Sequence, residues 1–129
     1  KISSFLKQQK IRESFVFPVY IVPGLGERAE SLGSVMVIGD AFKKNVAFPV
    51  LLEEALHGLF ASGPITSEKY AIKTKDEALR EEVLIGYLLH QLLTFIHYNK
   101  EVSDSVVFGW QNGRRKKLVE ALLKISGNC

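Results

Sequence analysis

Four consecutive cations begin the last predicted helix of the chain. The cations follow Asn112 and Gly113, which favour a turn or a helix start, and they are Arg114, Arg115, Lys116 and Lys117. The amino terminus of a helix carries about half a unit of positive charge, so each cation in the first turn is disfavoured by about 0.3 to 1 kcal/mol. A bound anion would offset this cost, because a phosphate at a helix start accepts backbone amide hydrogen bonds and pairs with Arg or Lys.

These cations predict a docking site for a phosphate-bearing partner, and nucleic acid is the partner that fits best. Trp110 lies just before them and would stack on an exposed base. Lys43 and Lys44 would add charge if they lie on the same face. Two alternatives stay open. In one, Asn112 and Gly113 form a tight turn, the cations are merely solvated and Trp110 lies in the core. In the other, the cations meet the acidic face of a protein partner.

A glycine-rich stretch follows the first predicted strand. Gly24, Gly26 and Ala29 have the spacing G-x-G-x-x-A, so the stretch resembles the dinucleotide-binding fingerprint, in which glycines let the backbone approach a pyrophosphate. The resemblance implies a nucleotide site at the Gly24 to Gly26 loop and, with it, a small enzyme or an enzyme fragment. The alternative is a plain loop between strands, because Gly33 leaves too little chain for a crossover helix.

A row of polar and small residues runs along one side of the longest predicted helix. This helix is predicted over 76–98 and is numbered α3 below, so we call the row the α3 stripe; its members are Glu82, Gly86, His90, Thr94 and His97. In a pocket or polar channel, a histidine of this stripe would act as an acid, a base or a pH sensor. The alternatives are a solvent-facing line or a helix contact that Gly86 permits to be close.

Other catalytic and metal-binding patterns are incomplete. Glu54 and His57 have the E-x-x-H spacing of di-metal carboxylate bundles, but the chain contains no second copy of that motif. No serine lies in a G-x-S-x-G elbow, and the only cysteine is Cys129. The sequence therefore favours a non-catalytic binding domain, and it predicts neither a metal nor a cofactor.

Composition favours one folded domain. The chain has 129 residues, of which 47% are hydrophobic and 24% charged, and its formal net charge is +3. It begins with Lys1 and its only methionine is Met36, which indicates a piece of a longer polypeptide. The single cysteine and the lack of a signal-peptide pattern predict an intracellular, soluble protein, and the longest apolar run, Val83 to Leu89, is too short to span a membrane.

The order of predicted elements indicates an α+β fold. We expect a small mixed or antiparallel sheet packed against about four helices, with one long central helix. Helices are predicted over 2–13, 49–61, 76–98 and from the four cations to about 125, and strands over 15–22, 34–38, 69–73 and 105–110, with a helical turn near 28–32. The apolar run 83–96 also allows a protein-interaction or self-association module.

Overall fold

A computed structural model of the chain describes residues 2–8, 18–32, 35–63, 65, 66, 70, 72, 74–108 and 113–126. These residues form five helices and a three-stranded mixed sheet, which confirms the α+β class. The chain groups into two compact units, Lys1–Ile65 and Thr66–Cys129, and each is described below by itself. The expectation of a single domain stays a prediction.

The amino-terminal unit contains the sheet. Its elements are α1 (Ile2–Gln8), β1 (Val19–Val22), β2 (Ala29–Ser31), β3 (Met36–Gly39) and α2 (Lys44–Ser62). Strand β3 lies in the centre, parallel to β1 and antiparallel to β2. Its side chains Met36 and Ile38 are buried, and α2 packs against β2 and β3. The apolar continuity of this segment is typical of such a central strand.

Strand β1 lies at an edge of the sheet. The prediction of a strand over 15–22 is confirmed for 19–22, while 15–17 lie outside the described residues. All four of its side chains are exposed, and Ile21 is the most exposed at 69%. Pro18 lacks an amide proton, which favours an edge position, and its carbonyl accepts a hydrogen bond from the Met36 amide at 2.9 Å.

Two local predictions in this unit are corrected. The helical turn expected near 28–32 is strand β2, because pairing with β3 satisfies the backbone there and overrides the local propensity. Helix α2 begins at Lys44, five residues before the predicted start, so that Pro49 lies inside the helix and not in its first turn. Gly63 ends this helix as predicted, with a φ of 103° that favours glycine.

The carboxy-terminal unit contains three described helices. They are α3 (Glu77–Phe95), α4 (Lys100–Phe108) and α5 (Gly113–Ser126), and α3 packs against both of the others. The Asp76 carboxylate caps α3 by accepting a hydrogen bond from the Leu79 amide at 3.1 Å. The long helix predicted over 76–98 is thereby confirmed, as is a last helix that reaches residue 125.

Helix α4 occupies the place of a predicted strand. The prediction of a strand over 105–110 is wrong for 105–108, which are helical, while 109 and 110 lie outside the described residues. The Asn99 side chain caps the helix by accepting from the Val102 amide at 2.9 Å, and Lys100 pairs with Asp104 one turn later at 2.7 Å. This local chemistry outweighs the strand preference of the adjacent valines. The short strand expected over 69–73 lies mostly outside the described residues, and Tyr70 and Ile72 belong to no strand.

Candidate ligand-binding site

Arg115 is part of the internal packing of the carboxy-terminal unit. Its side chain is 1% exposed, and its Nη1 donates to Glu82 Oε2 at 2.9 Å. In this structure the Arg115 guanidinium forms an ion pair between α5 and α3 and is not presented to solvent. Phosphate binding by Arg115 stays a prediction.

Gly86 provides the space for this ion pair. A Cβ atom at position 86 would lie 2.7 Å from Nη2 and 2.9 Å from Nε of Arg115, closer than side-chain atoms approach one another in proteins. A side chain at this position would therefore displace the guanidinium from where it crosses α3. Of the alternatives for the α3 stripe, the close helix contact is confirmed at Gly86.

The remaining predicted phosphate ligands are only partly described. Lys116 and Lys117 are exposed, and within the described part of the chain neither lies within 4.0 Å of a carboxylate. Lys43 is exposed in the amino-terminal unit, and the structure describes the backbone but not the side chain of Lys44. The Arg114 side chain and Trp110 lie outside the described residues.

The glycine-rich loop does not have the setting that a dinucleotide fingerprint needs. It leads from β1 into strand β2, whereas the fingerprint requires a helix whose amino terminus faces the pyrophosphate. The Gly24 amide donates to Asp40 Oδ2 at 3.2 Å, so a carboxylate already occupies one position that a phosphate would take. A Cβ atom on Gly39 would overlap the Gly26 carbonyl, which indicates that these glycines serve close packing between loop and strand.

A pocket of about 420 Å³ lies where α3 ends and α4 begins. The carboxy-terminal half of the α3 stripe contributes His90, Thr94 and His97. The other lining residues come from the α3 core, the connecting turn and the first two turns of α4, and they are Leu93, Tyr98, Lys100, Ser103 and Asp104. Its volume falls within the range of small-molecule binding sites.

The turn between the two helices builds this pocket. The Tyr98 amide donates to the Leu93 carbonyl at 2.9 Å, and the His97 amide donates to the Thr94 carbonyl at 3.1 Å. This is a Schellman motif, in which the residue that reverses the chain adopts a left-handed conformation. That residue is His97, with a φ of 57°, although glycine is the usual choice. A strained, non-glycine residue therefore lines the pocket.

Two residues of the pocket lining carry a buried polar atom. His90 Nδ1 and Ser103 Oγ are shielded from solvent and have no hydrogen-bond partner among the described residues, each other included. Ser103 is 6% exposed, and it sits one turn into α4. Most buried polar groups in proteins have a partner, so two such atoms in one pocket require an explanation.

The environment of His90 favours the neutral imidazole. Burial lowers the pKa of His90, the neighbouring Asp104 raises it and Lys100 lowers it further, and burial is the largest of these effects. The imidazole also lies against the Phe108 ring, with centroids 6.0 Å apart. A neutral histidine has one nitrogen that donates and one that accepts a hydrogen bond, so it can bind polar groups without a net charge.

The side chains of this pocket offer hydroxyl, imidazole, ammonium and carboxylate groups, and Ser103 Oγ makes no hydrogen bond with His90. Three members of the α3 stripe line the pocket, in keeping with one of the alternatives for that stripe. Sequence reasoning missed Lys100, Ser103 and Asp104, because it assigned the valines at 106 and 107 to a strand. The signal for a helix start was Asn99, followed by a Lys100–Asp104 pair at the i, i+4 spacing.

No protein-family model, curated protein or solved structure matches this chain. None of the helices in the described ranges combines the length and apolarity of a membrane-crossing segment. Most apolar side chains of the 83–96 run are buried, namely Val83, Leu84, Ile85, Leu88, Leu89, Leu92 and Leu93. Association with a protein partner or a second copy through this run stays a prediction.

Proposed function

We propose that the chain is a non-catalytic binding domain whose carboxy-terminal unit holds a small ligand between α3 and α4. The single observation that carries this proposal is that two lining residues of one pocket each bury a polar atom, His90 Nδ1 and Ser103 Oγ, without a partner among the described residues. The single cysteine of the sequence supports an intracellular setting for this activity.

The energetic cost of the two atoms supports a ligand. A buried donor or acceptor without a partner costs about 1 to 3 kcal/mol of folding free energy. A ligand that supplied both partners would recover that cost on binding, and specificity would follow because few molecules place polar atoms at both positions. The strained backbone at His97 is a second feature that is common in binding sites.

Nuclear magnetic resonance of the ¹⁵N-labelled chain tests this proposal with a library of small polar molecules. We expect saturable shift changes confined to His90, Thr94, His97 and the first turns of α4. Ser103→Ala should weaken the binding of any hit about tenfold, because one good hydrogen bond in a desolvated site contributes about 1.4 kcal/mol.

Ser105→Ala is the matched control on the same helix. Ser105 is exposed, and its hydroxyl donates to the Val102 carbonyl at 2.7 Å, outside the pocket lining. This variant should bind the same hits unchanged. Hits whose shift changes fall elsewhere, or that bind equally well to Ser103→Ala, would show that the pocket is not the site.

A second candidate function is docking of a polyanion, nucleic acid above all, on α5. The observation that favours it is the contrast within the four cations, because Arg115 pairs with a carboxylate while Lys116 and Lys117 are exposed and have none among the described residues. Both lysines lie in the first turns of α5, where the helix dipole disfavours cations and attracts anions.

Salt dependence tests the polyanion function. The logarithm of affinity for single-stranded nucleic acid should fall linearly with the logarithm of salt concentration. The double variant Lys116→Ala with Lys117→Ala should make that slope less steep by roughly 0.7 for each phosphate contact that is lost. Lys124→Ala, an exposed lysine in the last turn of α5, is the control that should leave the slope nearly unchanged. Equal slopes in both variants would remove this function.

A further inference from the structure

We infer that the ligand of the α3–α4 pocket is a small organic acid, whose carboxylate is held by Ser103 and His90 and whose apolar body lies against Leu93 and Tyr98. The inference rests on the proposed function and adds the chemical class of the ligand. It draws on three features of the pocket, which are its hydrogen-bonding atoms, its charges and its apolar wall.

The hydrogen-bonding atoms suit a group with two acceptors. The Ser103 hydroxyl can donate one hydrogen bond, and His90 can donate a second from Nδ1 when that nitrogen carries the proton. A carboxylate presents two oxygens on one carbon and can accept from both donors at once. An amide or an alcohol offers only one oxygen acceptor to the same pair.

The charges at the pocket mouth tolerate an anion. Asp104 is the one acidic residue of the lining, and its Oδ2 already accepts from the Lys100 ammonium at 2.7 Å. The acidic charge is thus neutralised locally. Lys100 is also the first residue of α4, so the positive end of the dipole of a nine-residue helix lies at the pocket.

The apolar wall limits the acid to one with a hydrophobic body. Leu93 and Tyr98 both line the pocket, and Leu93 is already buried whereas Tyr98 is half-buried. A small polar acid such as acetate would leave the exposed part of Tyr98 uncovered and would gain little from its burial. An aliphatic or aromatic monocarboxylate supplies both the two carboxylate oxygens and the hydrophobic body that the site requires.

Binding of an acid here would take up a proton. In the free chain the lowered pKa of His90 favours the neutral imidazole, and a carboxylate placed against Nδ1 would favour the imidazolium. The other ionisable residues of the pocket lining are His97, Tyr98 and the Lys100–Asp104 pair. Affinity for an acid should therefore rise as the pH falls from about 8 to about 6.

The test compares phenylpropanoate with phenylpropanamide, which share one apolar body and differ in charge. Titrations followed by nuclear magnetic resonance should give an affinity about tenfold higher for the acid, in keeping with a charge-assisted hydrogen bond. The acid should bind more tightly at about pH 6 than at about pH 8, and the amide should not. The side-chain nitrogen shifts of His90 in the unaltered chain should report protonation on binding.

Two variants separate His90 from its neighbour. His90→Asn should remove the pH dependence of acid binding, whereas His97→Asn should retain it. The nitrogen shifts of His90 in the unaltered chain give the same answer if His90→Asn fails to fold.

Each remaining outcome has a defined meaning. Equal affinities for the acid and the amide would show that the ligand need not be an acid, and the pocket would then be a site for neutral ligands. If the acid binds and His90 is not protonated, the inferred contact between the carboxylate and this imidazole is wrong. Failure of both probes to bind at millimolar concentration would overturn the acid class, and the proposed function would then depend on the wider library.

Discussion

The face of α3 that meets α4 and α5 carries polar groups at both ends, and the two ends differ in how these groups are satisfied. Near the start of the helix, Glu82 and Arg115 supply each other with a partner, and Gly86 makes room for them. Near its end, His90 and Ser103 bring buried polar atoms into one pocket without partners among the described residues.

This difference separates a structural contact from a binding site. The buried Arg115 charge lies beside a counter-charge, although its Nε makes no hydrogen bond within the described part of the chain, and the ion pair fixes how α5 lies on α3. The buried Ser103 Oγ and His90 Nδ1 have no charged partner among the described residues, and they cost folding free energy until something binds. The same helix face therefore predicts opposite responses to mutation at its two ends.

The largest effect is expected at the satisfied end. Glu82→Ala should lower the free energy of unfolding by about 2 kcal/mol, because it removes the carboxylate that accepts a charge-assisted hydrogen bond from the buried Nη1 of Arg115. Glu82 itself is 41% exposed, so the reverse change, Arg115→Met, should cost less, since water can solvate the carboxylate left behind. Urea denaturation measures both. Glu120→Ala, at an exposed position of α5, is the control, and a loss there as large as in Glu82→Ala would contradict a specific role for the ion pair.

The unsatisfied end should respond with the opposite sign. Ser103→Ala should raise the free energy of unfolding by about 1 kcal/mol, because it removes an unpartnered buried hydroxyl and alanine favours a helix. Ser105→Ala should raise the free energy of unfolding by less, since the hydroxyl that it removes is exposed and has an acceptor. Destabilisation by Ser103→Ala would mean that this hydroxyl has a partner in the free chain, and the contrast between the two ends would disappear.

The sequence predicted elements with strong local signals better than it predicted what they bring together. The long helix over 76–98 was predictable from its apolar length and its acidic start, and the α3 stripe correctly grouped residues of one face. The burial of Arg115 was not predictable, because Glu82 lies 33 residues away and only helix packing joins them. The valines at 106 and 107 favoured a strand, whereas Asn99 and the Lys100–Asp104 pair determine a helix.

A smaller effect is expected at the turn between α3 and α4. His97→Gly should stabilise the chain by about 0.5 kcal/mol, because relief of a left-handed backbone gains about 1 to 2 kcal/mol and the flexible unfolded glycine returns part of it. The same change should weaken ligand binding, since it removes a lining side chain. His97→Ala is the matched control, because it deletes the imidazole and retains the strained Cβ, so it should weaken binding without the gain. A stabilisation by alanine equal to that by glycine would place the strain in the imidazole.

The smallest effect is a pH dependence of stability at the unsatisfied end. Burial holds the pKa of His90 below its ordinary value of 6.5, so the folded chain prefers the neutral imidazole while the unfolded chain takes up a proton near that value. The resulting stability is fully present above pH 6.5 and is lost as the pH falls from there through the folded pKa. His90→Gln should remove this part of the decline in urea midpoint between about pH 7.5 and pH 5.5, and His97→Gln should retain it. If both variants declined as the unaltered chain does, the imidazole of His90 would be as accessible to protons as in water, and it would not be the buried, incomplete group on which the ligand site depends.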